Sequence, residues 1–210
     1  IDGRDLKAQK HSDRAKMIAY VPQVSKESFP YSVFDSILMG RTPYIGVFGS
    51  PSKKDEMIVN EVIDKLNINE LKYRSYNELS GGEIQLVKIG RGLAQQAKIQ
   101  VMDEPTGALD LHNELQILET ITKIIKENSR TVIMATHYPN QPLYFENKGL
   151  KVRACLMKNG QILYEGKPSE VITKETLKEI YSIDAHVIDY HEESGVQGRC
   201  VVPVTKLEVS

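Results

Sequence analysis

Apolar positions recur along the chain with two periods, and the switches between them outline its elements. Met17-Ile18-Ala19-Tyr20-Val21 is a short apolar run stopped by Pro22, which predicts a strand. Residues 30–53 carry Pro, Gly and Ser at both ends, which predicts loops around a helix at Val33–Gly40. In Lys54–Leu66, the residues Ile58, Val62, Ile63 and Leu66 fall on one helical face. Ser80 suits a helix N-cap, and Glu83–Gln96 then has helical composition. Ile99–Met102 predicts a buried strand, and Thr131–Ala135 a third strand. Between them, His112–Glu127 sets Leu115, Leu118, Ile121 and Ile125 at helical spacing. Asn159-Gly160 is a hairpin signal between Ala154–Lys158 and Gln161–Glu165. Thr173–Ile180 predicts a short helix, and the tail beyond Asp189 turns polar and then Val-rich, as a strand or a loose end. Strands alternating with helices imply a largely parallel α/β sheet. There is no internal repeat and no low-complexity stretch.

Composition narrows the class without naming a chemistry. With 210 residues, 40% of them apolar, one domain with a subdomain is expected. A net charge of −1 gives no global field to attract nucleic acid or an anionic membrane, so no nucleic-acid partner is expected. The longest apolar runs fall far short of a bilayer span, and no secretory leader pattern opens the chain. Cys155 and Cys200 have no metal-ligand spacing and suit a reducing compartment.

The candidate chemistry lies where predicted strands end and helices begin. Leu79-Ser80-Gly81-Gly82-Glu83 opens a helix with little side chain, so its backbone N–H groups can approach an anion. Taken alone, it is also an ordinary N-cap after a glycine turn. Asp103 and Glu104 close a buried strand, where one carboxylate can hold Mg²⁺ and the other can orient a water. Alternation would aim the two at opposite faces, yet a bare pair is equally two solvated acids at a strand end. His137 follows the third strand at the edge where ligands sit in open parallel sheets, or is a structural histidine. Gln23 follows the first strand in the same way, or is a loop glutamine. Taken jointly, the ordered series Gln23, Ser80-Gly81-Gly82, Asp103-Glu104, Asp110 and His137 points to nucleoside triphosphate chemistry.

That series resembles the nucleotide-binding subunit of ATP-binding cassette (ABC) transporters. Ala19–Gln23 looks like the family's Q-loop, Leu79–Glu83 its signature motif and Ile99–Glu104 its Walker B strand. Gly107-Ala108-Leu109-Asp110 looks like the D-loop, and Ala135-Thr136-His137 the switch-histidine loop. The resemblance implies a P-loop NTPase (RecA-like) α/β core over 1–23 and 91–189, a helical subdomain over 24–90 and a C-terminal tail over 190–210. It implies ATP and Mg²⁺ as ligands. Glu104 would position or deprotonate water, Asp103 would help hold Mg²⁺, Gln23 would contact Mg²⁺ and sense the γ-phosphate as a further catalytic residue, and His137 would steady the transferring phosphoryl. Ser80, Gly81, Gly82 and Asp110 would serve the nucleotide of a second subunit in a head-to-tail dimer. Leu38-Met39-Gly40-Arg41-Thr42-Pro43-Tyr44, Glu83 and Leu177–Ile183 resemble the branch that powers uptake of iron–siderophore, haem or cobalamin-type chelates. For that branch, residues 24–50 would receive a permease helix, a substrate-binding protein would act indirectly, and the subunit would sit peripherally at the cytoplasmic face of the membrane.

Three departures qualify the resemblance. No Gly-x-x-x-x-Gly-Lys-Ser/Thr phosphate loop occurs in the sequence, nor the upstream aromatic that stacks on adenine. A strand–loop–helix unit of roughly 30–50 residues would carry both, so an N-terminally incomplete, inactive ATPase is the expectation. Gln100 is polar inside the Walker B-like strand, which predicts a site near an absent strand or less burial than usual. Leu86 stands where an arginine is common after the signature. A non-catalytic binding module and a soluble, non-transport ABC ATPase remain the alternatives; the stretch between Gln23 and Ser80 lacks the sustained heptads of chromosome-maintenance cassettes.

Overall fold

The computed structural model describes all residues except 2, 4, 24–29, 47–48, 129, 192–196 and 208–210. It divides into two compact units, Ile1–Ala135 and Thr136–Ser210. In the first, α1 (His11–Met17) runs directly into β1 (Ile18–Val21), so the helix takes the methionine that the apolar run had assigned to the strand. α2 (Val33–Leu38) continues as a 3₁₀ turn through Met39–Tyr44. α3 (Lys53–Leu66) and α4 (Gly81–Ala94) both start on serine capping boxes, Ser52 with Asp55 and Ser80 with Glu83, which satisfy first-turn N–H groups. β2 (Ile99–Asp103), α5 (Leu111–Asn128) and β3 (Thr131–Ala135) complete the unit.

β1, β2 and β3 form a parallel sheet in that order, with Tyr20 opposite Val101 and Asp103 opposite Ala135. Period-two alternation turns Ala19, Val21, Gln100 and Met102 into the core and leaves Tyr20 and Ile133 on the other face, 57% and 53% exposed. α2 and α3 pack on α4 through Ile37, Val59, Ile63 and Ile89, all fully buried. In α5 the buried stripe is Ile117, Leu118, Ile121 and Ile124, so the face is rotated from the expected one and Leu115 is exposed.

Gln100 corrects the expectation of lower burial. It is 1% exposed on the middle strand, on the same face as Met102, with its carboxamide against the α4 backbone at Gly92. Among the described residues, neither its Nε2 nor its Oε1 has a hydrogen-bond partner. The position is buried because strand period, not side-chain polarity, decides which way it points.

The second unit holds α6 (Asn140–Asn147), the hairpin β4 (Ala154–Lys158) and β5 (Gln161–Gly166), α7 (Pro168–Val171), α8 (Lys174–Tyr181), and the hairpin β6 (Ile183–His191) and β7 (Gln197–Lys206). Asn159 and Gly160 take φ of 52° and 76°, the left-handed pair that a two-residue hairpin turn needs. The parallel arrangement is therefore confined to the first unit, because both sheets here are antiparallel. The core joins Leu143, Leu156, Ile172, Leu177, Ala185 and Val201. The Val-rich tail is β7, bracketed by α6: the Asn140 carboxamide bonds Val201 N and O (2.7 and 3.0 Å), and Asn147 bonds Arg199 N and O (3.2 and 3.0 Å). β6 runs through residue 189, so the expected tail boundary falls inside a strand. Among the described residues no helix is long and apolar enough to cross a membrane.

Candidate functional site

The parallel sheet brings Gln23, Asp103 and Glu104 together. β1 and β2 lie side by side, so the residues that follow them emerge at one edge. Gln23 Nε2 donates to Glu104 Oε2 at 2.6 Å. The turn that carries Gln23 is anchored from α4, where the buried Lys88 donates from Nζ to the carbonyls of Pro22 (3.2 Å) and Gln23 (2.8 Å). Asp103 ends β2 and accepts a hydrogen bond on Oδ2 from the Tyr20 hydroxyl at 3.2 Å. Loss of water around that hydroxyl, the bond to Asp103 and the charge of Asp103 together raise the phenol above its ordinary pKa.

Glu104 does not continue the strand. Its φ is 41°, a left-handed value that costs a non-glycine residue roughly 1–3 kcal/mol. Alternation therefore stops at Asp103, and the Glu104 side chain is aimed by the turn instead. That turn is closed by Gly107 N donating to Glu104 O (2.9 Å) and held to β3 by Glu104 N donating to Ala135 O (3.0 Å).

A second cluster joins the start of α4 to the start of α5. Ser80 Oγ accepts from Glu83 N, and Ser80 N donates to Glu83 Oε2 at 2.7 Å. The Ser80 N–H, the Ser80 hydroxyl and Arg74 hold the Glu83 carboxyl below its usual range. Ser80 and Gly81 are exposed, and Gly82 is buried. A Cβ at Gly82 would overlap the Asn113 carboxamide, so only glycine permits this approach. Asn113 is fixed in turn by Asp110, which accepts from Asn113 N (2.9 Å) and Nδ2 (2.6 Å) and so caps α5. Those bonds, backbone first, and the nearby His112 lower the Asp110 pKa. His137 opens the second unit and is exposed, two residues beyond Ala135 in the chain.

Asp103, Glu104 and the Gln23 carboxamide form a hard oxygen-donor set. Among the described residues no three His, Cys, Asp or Glu converge on a metal position. Mg²⁺ is commonly held by one or two carboxylates plus water and phosphate oxygens, not by an all-protein cage. The set fits Mg²⁺ whose remaining positions are filled by water or phosphate oxygens. Three contributors escape a reading of motifs alone: Tyr20, Lys88 and Asn113. Strand period separates Tyr20 from Ala19 and Val21 without showing its partner, and Lys88 stands inside an apolar helical stripe.

The family model described as ABC transporter matches residues 1–107. The molybdate import ATP-binding protein MolC of Haemophilus influenzae is 35% identical over 79% of this chain and 63% of its own length. The petrobactin import ATP-binding protein FpuC of Bacillus anthracis is 31% identical over 92% of this chain and 69% of its own. Among solved structures, an inward-facing putative metal-chelate type ABC transporter superposes with a TM-score of 0.82 at 30% identity, over 90% of this chain and 73% of that one. The chain belongs to the ABC transporter family.

Proposed function

We propose that the chain supplies the water-activating and signature elements of the ATP-hydrolysing subunit of a membrane importer for an iron–siderophore, haem or cobalamin-type chelate, and is inactive by itself. The observation that carries the reading is the 2.6 Å contact of Gln23 with Glu104 beside Asp103 at one edge of the parallel sheet. Glu104, turned out of the strand by its left-handed backbone, would orient and deprotonate the attacking water. Asp103 and the Gln23 carboxamide would hold Mg²⁺, which supplies charge neutralisation on the phosphates when bound. Ser80, Gly81 and Gly82, with Asp110 behind them through Asn113, would close on the nucleotide of a second copy of the chain. The phosphoryl contact of His137 rests on its place in the motif series.

Two likenesses support the transport role. FpuC is a petrobactin import ATP-binding protein, and the superposed structure is of a putative metal-chelate type ABC transporter. A permease would recruit the subunit to the cytoplasmic face of the membrane, with a substrate-binding protein acting indirectly. The docking surface expected over residues 24–50 falls partly outside the described residues. Within it, Arg41 is turned inward and 4% exposed, so any contact there uses its neighbours. Because the sequence holds no phosphate loop, hydrolysis calls for a strand–phosphate loop–helix unit joined to it. The test is phosphate release by the chain alone and by the chain preceded by such a unit. Turnover is expected only in the second, and Glu104→Gln should lower it about 10²–10⁴-fold while sparing ATP binding. Wild-type turnover in Glu104→Gln would remove Glu104 from the role.

A further inference from the structure

We propose that Tyr20 is a positioning residue for Asp103, its hydroxyl fixing the carboxylate in the orientation that receives a divalent cation. The inference rests on the reading of Asp103 as a metal-holding carboxylate and adds a residue to it. Among the described residues, the Tyr20 hydroxyl is the one hydrogen-bond donor to the Asp103 side chain, at 3.2 Å on Oδ2. It occupies one carboxylate oxygen and leaves Oδ1 for a ligand.

The sheet explains why the residue is a tyrosine. Tyr20 is in register with Val101, which places it on the same face as Asp103 and one diagonal step behind it. Diagonal neighbours in a sheet lie roughly 7–8 Å apart, within reach of an aromatic side chain but beyond a serine or threonine. Ala19 and Val21 on either side are 1% and 0% exposed, whereas Tyr20 is 57% exposed. What the side chain gains at this position is the contact of its hydroxyl with Asp103. Hydrogen bonds to ligating carboxylates fix their orientation, and removing one typically weakens metal binding 10–100-fold.

The experiment is a Mn²⁺ titration of the 210-residue chain, without nucleotide, followed by paramagnetic broadening of backbone amide resonances. Wild type, Tyr20→Phe, Asp103→Asn and the remote control Tyr73→Phe are compared, each with its melting temperature. Wild type should show broadening centred on Asp103 and Gln23, Asp103→Asn should lose it, and Tyr73→Phe should match wild type. Tyr20→Phe, which keeps the ring, should weaken Mn²⁺ about 10-fold with an unchanged melting temperature. Wild-type affinity in Tyr20→Phe, with loss in Asp103→Asn, overturns the role of Tyr20 and leaves that of Asp103 standing. No broadening in wild type, or full broadening in Asp103→Asn, overturns the metal reading of Asp103 and the proposal with it. A fall in melting temperature that accompanies the loss in Tyr20→Phe assigns the effect to structure and also overturns it.

Discussion

Replacing Arg41 separates two roles for the Gly40–Tyr44 turn, an outward docking surface and an inward brace. Arg41 is 4% exposed. Its Nε lies 2.8 Å from Asp55 Oδ1 at the start of α3. A terminal nitrogen donates to Ala94 O (2.7 Å) and Gln96 Oε1 (3.1 Å) at the end of α4. The guanidinium sits 4.0 Å from the centre of the Tyr44 ring, whose hydroxyl donates to Gln95 O at 3.0 Å. One side chain thus ties the turn to two helices. Breaking a buried pair by deleting one partner costs roughly 3–5 kcal/mol. Asp55 would keep the Ser52 N–H (2.9 Å) and hydroxyl (2.6 Å), so Arg41→Met belongs near the low end, at about 3 kcal/mol. The pH dependence has a fixed sign. The Ser52 hydroxyl first, and then Arg41, lower the Asp55 pKa from 3.8 to about 2. A carboxyl depressed on folding stabilises fully above its unfolded pKa, and that contribution fades as pH falls from 3.8 towards 2. Urea unfolding followed by circular dichroism should show the full loss at pH 7. The gap between wild type and Arg41→Met should narrow as pH drops from about 5 to about 2.5. A loss below about 1 kcal/mol at neutral pH, the range of exposed pairs, would refute the brace.

Gln100→Met should raise stability by about 1–3 kcal/mol, since it replaces a buried amide without partners by an apolar chain of similar length; a lower melting temperature would show that the amide is satisfied in solution. Gly82→Ala should cost about 1–3 kcal/mol through its clash with Asn113. Combining it with Asn113→Ala should recover part of that loss, whereas strict additivity in a double-mutant cycle would show the two do not touch. Ser80→Ala removes the N-cap of α4 and should cost about 0.5–2 kcal/mol in a thermal melt.

Local signals carried most of the first unit. The serine cap at Ser80, the apolar stripe of α3 and the strands on either side of α5 depend on residues a few positions apart, which the sequence displays directly. α5 marks where that stops. It carries apolar residues enough for two adjoining stripes, and spacing alone gave Leu115 and Ile125 the places that packing gives to Ile117 and Ile124. The tail stayed open between a strand and a loose end for a related reason. Its polar start and Val-rich end suit a strand only once β6 pairs with it and the carboxamides of Asn140 and Asn147 bond its backbone, a partnership formed across 61 and 52 residues. The site divides along the same line. Gln23, Asp103 and Glu104 were legible because each sits at the end of a recognisable strand. Tyr20 was not, because its use depends on β1 lying beside β2 with Tyr20 opposite Val101, a register set between residues about eighty apart. Given that register, strand period places its hydroxyl on Asp103 and no other carboxylate. Lys88 and Asn113 were missed for the same kind of reason, because one acts only when α4 meets the turn after β1 and the other only when α5 meets Gly82.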